Sequence, residues 1–305
     1  MDYDFVLLTD PRFLHAQPGD SYTDEVILED ALVQKELETL GFRVTRVSWD
    51  DPQFDWSSTR YAIFRAVWDY FDRYAEFQIW FVKTAELTQF INSKALIDWN
   101  IDKHYLLDLK QRDIHIPRTL FIEAGSTLNL QEAIKEARKT LGFEGTDFVL
   151  KPCVAGGAWH TYKFNETDWL EYDPVFRRLI AKEAMMLQEF QHHIVSEGEV
   201  SLMFMGDTFT HAILKKAKSG DFRVQNDYGG TVELYQPSEA EITFAKRTVM
   251  ASPDLPLYAR VDIFKDNQHR IALAELEIFE PELWFRHHHA AAQTFASQLQ
   301  KRLLP

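Results

Sequence analysis

The first hundred residues alternate short apolar runs with helically spaced apolar positions, a pattern that predicts a small parallel α/β unit. Residues 5–9 form an apolar run that ends at an Asp-Pro pair, as in a buried strand followed by a loop. Over residues 24–40 the apolar positions recur at helical spacing, and Gly41 follows where a helix C-terminus is expected. Further strands are predicted at 43–49 and 61–67. Strand, helix and strand in this order, with short connections, favour a parallel sheet flanked by helices.

The next part of the chain is predicted to contain two helices, at 72–90 and 102–112, followed by a change of organisation. A strand at 115–122 and a helix at 130–141 come next. They precede two apolar strands whose spacing indicates antiparallel pairing, at 147–151 and 185–190.

The final third alternates short predicted strands with two helices. The strands are expected at 200–205, 208–214, 258–265 and 270–279, and the helices at 239–251 and from residue 288 onward.

The length and composition indicate more than one folding unit. A chain of 305 residues with 46% hydrophobic composition exceeds what one compact core usually fills. We therefore expect an N-terminal α/β substrate domain over residues 1–98, a central subdomain over 99–190 and a C-terminal subdomain over 191–305. No repeat or low-complexity tract separates them, so close packing is expected.

The charge balance narrows the range of partners. A formal net charge of −14 makes nucleic acid and anionic membranes poor partners, because both are negatively charged. Cys153 is the single cysteine, which excludes an intramolecular disulfide framework, and the first thirty residues lack a secretory signal pattern. No apolar run approaches the length of a membrane-spanning helix. We therefore expect a cytoplasmic protein that acts on small molecules.

Lys151 stands at the end of an apolar strand and is soon followed by Gly156 and Gly157. A lysine at a strand end can reach a nucleotide phosphate, and glycine lets backbone N–H groups approach the same anion. A plain hairpin turn with a surface lysine is the alternative. The motif alone leaves both interpretations open.

A second motif, residues 220–230, places Arg223 between flanking glycines, after a basic stretch that begins at Lys215. The planar guanidinium group suits bidentate contact with a phosphate or a carboxylate. Arg223 and Lys215 are the catalytic candidates. A solvated basic hairpin is the alternative.

Three carboxylates form the third motif. Glu275 and Glu277 are two residues apart and share one face of a predicted strand, while Asp262 lies on the strand before it. Acidic residues in apolar strands are costly unless they are paired or bind a metal, and such hard oxygen ligands suit magnesium. A half-exposed strand with an acidic face toward solvent is the alternative.

Taken in this order, the three motifs resemble the ATP-grasp superfamily, and in particular its glutathione synthetase and ribosomal-protein glutamate ligase branch. The resemblance covers residues 100–305 and implies that a small N-terminal parallel-sheet α/β domain precedes two α+β subdomains that clasp ATP. The sequence departs from the branch at Glu277, where asparagine is common, and in the glycine loop after Lys151, which is shorter. The stretch 192–198 needs a gap to align.

The resemblance implies a role for each matching residue. Lys103 and Lys151 would contact the ATP phosphates from opposite sides of the cleft, beside Gly156 and Gly157. Arg223 would face the γ-phosphate and the carboxylate under attack.

The remaining implied contacts involve the metal and the nucleoside. Magnesium, with manganese as an alternative, would be held by Asp262, Glu275 and Glu277. An adenine-binding segment and a ribose-binding carboxylate would be formed by Gln188, Glu189, Phe190, Gln191 and Glu199.

The implied activity is ATP-dependent joining of a carboxylate to an amine on a small amino-acid or peptide-like substrate. An acyl phosphate would form first, and ADP and phosphate would be released. The two groups can also belong to one substrate, which would then close into a ring. An ATP-grasp kinase and a non-catalytic nucleotide-binding module are the rival interpretations. The resemblance alone also implies a homodimer.

Substrate contacts are expected from the first domain, where an arginine could take a carboxylate and an aspartate an ammonium group. The candidates lie on one short stretch: Arg65, Trp68, Asp69 and Tyr70. A helix start that is capped and packed in the ordinary way is the alternative. His211 is expected to be an ordinary strand histidine rather than a general base.

Overall fold

The structure is a computed structural model that describes residues 1–15, 17, 19–218 and 229–303. Three sheets organise this part of the chain: a parallel four-stranded sheet, an antiparallel four-stranded sheet and an antiparallel five-stranded sheet. The mixture confirms the predicted α/β (α+β) class.

The N-terminal part is a parallel sheet flanked by helices. Its elements are β1 (Tyr3–Thr9), α1 (Ser21–Thr39), β2 (Val44–Ser48), β3 (Thr59–Ala66), α2 (Tyr74–Thr84), β4 (Gln89–Ile91) and α3 (Lys94–Asn100), with 3-10 turns at Pro11–Phe13 and Trp56–Ser58. The strand order is β2-β1-β3-β4. The chain therefore adds β2 on one side of β1 and β3 and β4 on the other side, so the order of winding reverses between β1 and β3. In open parallel sheets, ligands bind at the carboxyl ends of the strands at such a point.

The helix predicted over 72–90 is wrong in its second half. α2 ends at Thr84, and the chain returns as β4, which pairs with β3. Phe90 and Ile91 are buried in that added strand. Apolar spacing cannot distinguish a short buried strand from the end of a buried helix, so only the pairing with β3 reveals it.

The central part is an antiparallel sheet packed against two helices. Its elements are α4 (Tyr105–Gln111), β5 (Thr119–Ile122), α5 (Leu130–Leu141), β6 (Asp147–Pro152), β7 (Tyr162–Asn165), α6 (Trp169–Ile180) and β8 (Met185–Glu189). The strand order is β5-β8-β6-β7, and the predicted antiparallel pairing of β6 with β8 is confirmed.

Local sequence signals explain why α5 was predicted and α6 was not. α5 has the predicted bounds because Asn129 and Glu132 form a capping box, and Gly142 ends the helix with a φ of +68°. α6 was not predicted, since Pro174 lies inside it and interrupts the helical pattern.

The C-terminal part contains the antiparallel five-stranded sheet. Its elements are α7 (His193–Ser196), β9 (Glu199–Met205), β10 (Thr208–Lys216), β11 (Thr231–Tyr235), α8 (Glu239–Met250), β12 (Tyr258–Lys265), β13 (Ile271–Glu277) and α9 (Ala290–Leu303), with a 3-10 turn at Phe285–His287. The strand order is β11-β10-β9-β12-β13, and Asp262 lies opposite Glu275 in the β12–β13 register.

The first and last parts of the chain share a hydrophobic core. Leu7 of β1 and Val33 of α1 belong to the same buried cluster as Phe295 of α9. The buried hydroxyl of Tyr258 on β12 lies 2.9 Å from the carbonyl oxygen of Ile91 on β4. The N-terminal sheet is therefore held firmly against the C-terminal sheet, as close packing predicted. Among the described helices, none combines the length and apolarity needed to cross a bilayer.

Candidate active site

A cavity of about 720 Å³ opens where the three sheets approach one another. Trp68, just after β3, lines its N-terminal wall, and Lys151 and Phe190 line its central wall at the ends of β6 and β8. Asp262 and Glu275, on β12 and β13, line the C-terminal wall. Within the described residues, the fold therefore gathers the first and third sequence motifs, together with Lys215, around one space.

Lys103 and Lys151 line this cavity in different electrostatic settings. Lys103 Nζ lies 2.9 Å from Glu275 Oε1 and donates to the carbonyl oxygen of Ala155 at 2.5 Å. Lys151 makes no ion pair or side-chain hydrogen bond within the described residues. Burial, aided by the like charge of Lys103, lowers the pKa of Lys151. An uncompensated ammonium group at a cavity wall suits a bound anion.

Lys215 joins two carboxylates at the back of the cavity. Its Nζ lies 2.5 Å from Glu199 Oε1 and 3.1 Å from Asp262 Oδ2, and all three side chains are buried. Burial acts to lower the pKa of Lys215, but the two carboxylates outweigh it and raise that pKa. Lys215 therefore stays protonated at neutral pH. Its ammonium group offsets part of the negative charge of Glu199 and Asp262.

Arg260 lies among the same carboxylates. Its Nε and Nη2 lie 2.9 Å from Asp262 Oδ1 and Oδ2, and Nη2 also donates to Glu277. Burial would raise the pKa of Asp262, but Arg260 and Lys215 outweigh it and hold that pKa well below its usual range. Asp262 is therefore ionised and acts as the anchor of the cluster.

Two other carboxyl groups of the cavity have raised rather than lowered pKa values. Burial, together with the neighbouring carboxylates, raises the pKa of Glu277 well above its usual value and that of Glu280 to about 7. Tyr70, which is buried, hydrogen-bonds Glu280. The crowding of acids on this side of the cavity therefore favours the protonated, neutral forms of these two carboxyl groups.

The donor chemistry of this cluster fits a divalent magnesium ion. Asp262 and Glu275 face each other across β12 and β13, and Glu277 shares their side of the sheet and lines the same cavity. All three supply hard oxygen donors of the kind that magnesium prefers. Their present partners are the cations of Lys103, Lys215 and Arg260, which shows that the acids need positive charge from some source.

The glycine loop after Lys151 closes one side of the cavity. Gly156 and Gly157 line it, and Gly157 has a φ of +55°. A Cβ at Gly156 would lie 3.1 Å from Phe71, which belongs to the N-terminal part. Glycine at these two positions permits both the backbone turn and the close approach to Phe71.

The predicted adenine segment lies at the end of β8 and lines the cavity throughout. Gln188 Nε2 donates to Thr119 Oγ1 at 2.7 Å, so the side-chain amide is held against β5. The carboxylate of Glu189 accepts the backbone N–H groups of Glu144 and Gly145, the latter at 2.7 Å. These contacts turn both side chains away from solvent and stabilise the shape of the segment.

Phe190 and Gln191 continue the segment with different partners. Lys163 Nζ lies 3.8 Å from the centre of the Phe190 ring, and Asn267 donates to the carbonyl oxygen of Phe190 at 2.9 Å. Gln191 Nε2 donates to the carbonyl oxygen of Glu189 at 2.9 Å. The aromatic ring is thus fixed at the cavity wall, where a flat base could pack against it.

Glu199 lines the cavity, and its carboxylate forms an ion pair with Lys215. Burial raises the pKa of Glu199 despite the opposing effect of Lys215. Arg223 lies outside the described residues. Its predicted role therefore stays a prediction.

The structure separates the four predicted substrate residues into two pairs. Trp68 and Tyr70 line the cavity. Arg65 is still on β3, is 4% exposed, and donates to Asp30 of α1 at 2.9 Å. Asp69 accepts from the indole of Trp49 at 2.7 Å. Neither Arg65 nor Asp69 lines the cavity, which corrects the expectation that they contact substrate there.

His211 and Cys153 have structural surroundings. Burial, followed by the neighbouring His288, lowers the pKa of His211 to about 4, so the imidazole stays neutral. Burial raises the pKa of the Cys153 thiol far above neutrality. The expectation of an ordinary strand histidine is consistent with this packing.

The sequence reasoning missed both of the described arginines that line the cavity, Arg260 and Arg12. Arg260 precedes Asp262 by two residues on a strand, and this spacing alone could have placed both on one face. Arg12 follows the first strand, and nothing in the sequence distinguishes it from an exposed loop arginine. Its place at the cavity becomes evident only in the folded chain, where β3 lies beside β1.

Comparisons with known proteins agree with this geometry. A family model described as the N-terminal domain of D-cycloserine synthetase DcsG matches residues 6–92. The cycloserine biosynthesis protein DcsG of Streptomyces lavendulae is 27% identical over 281 residues, which cover 88% of this chain and 91% of the relative.

Solved structures extend the agreement to the whole fold. The crystal structure of D-cycloserine synthetase DcsG has a TM-score of 0.86 at 24% identity and covers 98% of this chain and 99% of that one. The ATP-grasp ligase PsnB, complexed with a precursor variant, Mg and ADP, has a TM-score of 0.63 at 15% identity, with coverage of 98% and 99%. The fold is the ATP-grasp fold, as the sequence resemblance predicted. Over nearly its whole length the chain is therefore similar in fold to ligases of the ATP-grasp superfamily.

Proposed function

We propose that this ATP-dependent ligase activates the carboxylate of a small amino-acid-like substrate as an acyl phosphate and then forms a C–N bond. Ring closure within one substrate is the version we favour. The whole-length relatives support it, since both are named for the synthesis of cycloserine, a ring compound. The match of residues 6–92 to a model of the same name supports a related substrate wall.

One observation carries the proposal: Lys151 has no anionic partner among the described residues, although three neighbouring cations are matched to carboxylates. A desolvated ammonium group without an anionic partner is unfavourable. A triphosphate would supply the missing negative charge. Lys103, across the same cavity, would contact the phosphates once nucleotide competes for Glu275.

The residues around this position suit phosphoryl transfer. A carboxylate oxygen of the substrate would attack the γ-phosphorus as ADP leaves, and Lys151, Lys103 and Arg260 would stabilise the charge on the transferring group. The substrate nitrogen would then attack the acyl carbon, phosphate would leave with its bonding electrons, and the nitrogen would lose a proton to solvent. Magnesium, held by Asp262, Glu275 and Glu277, would neutralise phosphate charge.

Arg260 would also donate to the oxygen that becomes negative when the nitrogen attacks. Its fork is already oriented by Asp262, so little reorganisation accompanies the reaction. Arg223 keeps the same proposed role from the resemblance.

The test is ADP and phosphate formation by the purified protein with ATP, magnesium and a panel of amino acids, alone and in pairs. We expect a single compound to elicit both products and to appear in mass spectra with the loss of one water. EDTA should abolish the reaction. Lys151→Met serves as the active-site control.

Other outcomes point elsewhere. A requirement for two compounds would establish intermolecular ligation instead of ring closure. ADP formation with phosphate retained on the product would establish a kinase. ATP binding without turnover of any compound would overturn the catalytic proposal in favour of a nucleotide-binding module.

A further inference from the structure

Arg12 occupies the crevice between β1 and β3, at the carboxyl ends of both strands. It follows β1 directly, Trp68 follows β3, and both side chains line the large cavity. This is the point where the parallel sheet reverses its winding, which is where open parallel sheets bind ligands. The lysines and Arg260, to which the proposed function assigns the phosphates, come from later parts of the chain and line the same cavity, which leaves the part beside Arg12 and Trp68 for the substrate.

A buried carboxylate holds Arg12 in place. Asp10 is fully buried, and its two oxygens accept from Arg12 Nε at 3.1 Å and Nη2 at 2.7 Å. Asp10 Oδ1 also accepts the backbone N–H of Arg12 at 2.8 Å. One edge of the guanidinium is therefore fixed. Within the described part of the chain, Nη1 has no hydrogen-bond partner, and the side chain is 58% exposed.

Arg43 shows what an ordinary surface pair looks like in the same sheet. It is 57% exposed and pairs with Asp4, whose carboxylate is itself 30% exposed, and neither lines the cavity. An exposed pair of this kind contributes little to stability. Asp10, by contrast, is completely buried, so it fixes the direction of a guanidinium whose free edge remains open.

Aromatic and acidic side chains line the cavity together with Arg12. Phe13 and Tyr22 pack around Trp68, with ring centres 5.5 and 6.4 Å from it, and form a rigid aromatic wall. Glu280 and Glu282 line the same cavity and could accept from an ammonium group.

We propose that Arg12 determines substrate specificity by binding a planar hydrogen-bond acceptor at the end of the substrate remote from the activated carboxylate. The acceptor is a second carboxylate or an amide or carbamoyl oxygen, since these match the open edge of a fixed guanidinium. The substrate class is thus an amino acid with such a group on its side chain. This inference rests on the proposed function.

Calorimetry with the whole protein, saturated with a non-hydrolysable ATP analogue and magnesium, tests it directly. The probes are both enantiomers of glutamate, glutamine and citrulline, with norleucine and methionine as side chains that lack the acceptor. We expect at least one acceptor-bearing compound to bind, and to bind more tightly than the two apolar compounds. Arg12→Gln should weaken that binding about 10- to 100-fold, and Arg43→Gln should leave it unchanged.

Arg12→Lys and a double variant keep the test independent of folding. Arg12→Lys retains the charge but not the fork, so we expect an intermediate loss of binding. Asp10→Asn/Arg12→Gln removes the unpaired buried carboxylate that Arg12→Gln would leave, and it should fold and show the same loss.

Three results would overturn the proposal: equal binding of acceptor-bearing and apolar compounds, unchanged binding in the Arg12 variants, or no binding of any acceptor-bearing compound. ADP formation is measured in parallel. Binding that depends on Arg12 without ADP formation would overturn the ligase mechanism and leave the role of Arg12 intact, so the two failures are distinguishable.

Discussion

Arg260 and Asp262, two residues apart on β12, form a two-point ion pair in which both donor–acceptor distances are 2.9 Å. Because they share one face of the strand, the pair points into the cavity from a rigid element. Lys215 contacts the same carboxylate from β10. The centre of the site is therefore preorganised by two strands of one sheet, β10 and β12, rather than by a loop.

The first prediction concerns this pair. Arg260→Lys keeps the charge but loses the fork, so turnover should fall about 10²- to 10³-fold while ATP affinity changes little. Steady-state ADP formation and nucleotide titration measure the two quantities. Arg118→Lys, on an exposed arginine, should behave like the parent protein. An equal fall in the two variants would remove Arg260 from the mechanism.

The second prediction concerns Lys151. Burial lowers its pKa, so the folded protein disfavours its charged form and the lysine opposes folding at neutral pH. Lys151→Met should therefore leave the melting temperature unchanged or raise it, while ATP binding weakens about tenfold or more. Thermal unfolding and nucleotide titration measure the two effects. Lys182→Met, on an exposed lysine, should change neither; a fall in melting temperature confined to Lys151→Met would contradict this account.

The third prediction concerns Glu29, which connects α1 to the segment after β13. Its carboxylate accepts the backbone N–H groups of Phe285 and Arg286, each at 2.8 Å, and is 3% exposed. Glu29→Gln replaces an acceptor by a donor and should lower the free energy of unfolding by about 1–3 kcal/mol. Glu25→Gln should cost under about 0.5 kcal/mol, because the Glu25 carboxylate that meets Arg286 is itself 46% exposed. Urea denaturation measures the free energy of unfolding of both variants. Equal losses in Glu29→Gln and Glu25→Gln would contradict the prediction.

The fourth prediction is the pH dependence contributed by Asp266 in the β12–β13 turn. Burial acts to raise its pKa, but hydrogen bonds from His115 and Arg270 outweigh it and lower the pKa to about 2. A carboxyl group whose pKa is depressed on folding stabilises the protein above its unfolded pKa of about 3.9. That stabilisation should be lost as the pH falls from about 4 to 2.

Asp266→Asn provides the measurement. Because His115 and Arg270 are partly exposed, we expect the difference in unfolding free energy from the parent to be about 1–2 kcal/mol at pH 6 and to shrink toward pH 2. Denaturation at several pH values tests this. A difference that is constant with pH would show that Asp266 acts through shape rather than charge.

Elements with strong local signals were predictable. α5 carries its own caps, and β12 is a long apolar strand between turn residues, so both have the bounds that the sequence predicts. The elements that were missed have weak or interrupted signals. β4, β7 and β11 are short strands whose identity depends on a neighbour in the sheet, and α6 contains a proline.

Several residues that line the cavity were predicted from the sequence, because the proposed phosphate and metal binding needs particular residue types in local motifs. Lys151 before its glycines and the spacing of Glu275 and Glu277 are such patterns. The partners were not readable, since Lys103 meets Glu275, and Lys215 meets Glu199, across long separations in the chain. Ion pairs of that kind exist only when strands and loops from different parts come together.

Arg12 and Arg65, both in the N-terminal part of the chain, show the division most clearly. By itself the sequence determined that this region is a parallel α/β unit and that it offers arginines next to aromatic residues. It could not determine which arginine reaches the cavity, because nothing in the local sequence distinguishes Arg65 from Arg12 as a cavity residue. The alternation of side chains along β3 turns Arg65 toward Asp30 of α1, and the placing of β1 beside β3 brings Arg12 to the open crevice. The tertiary structure alone decides which arginine reaches the cavity, because strand order and strand face are set by packing between distant segments.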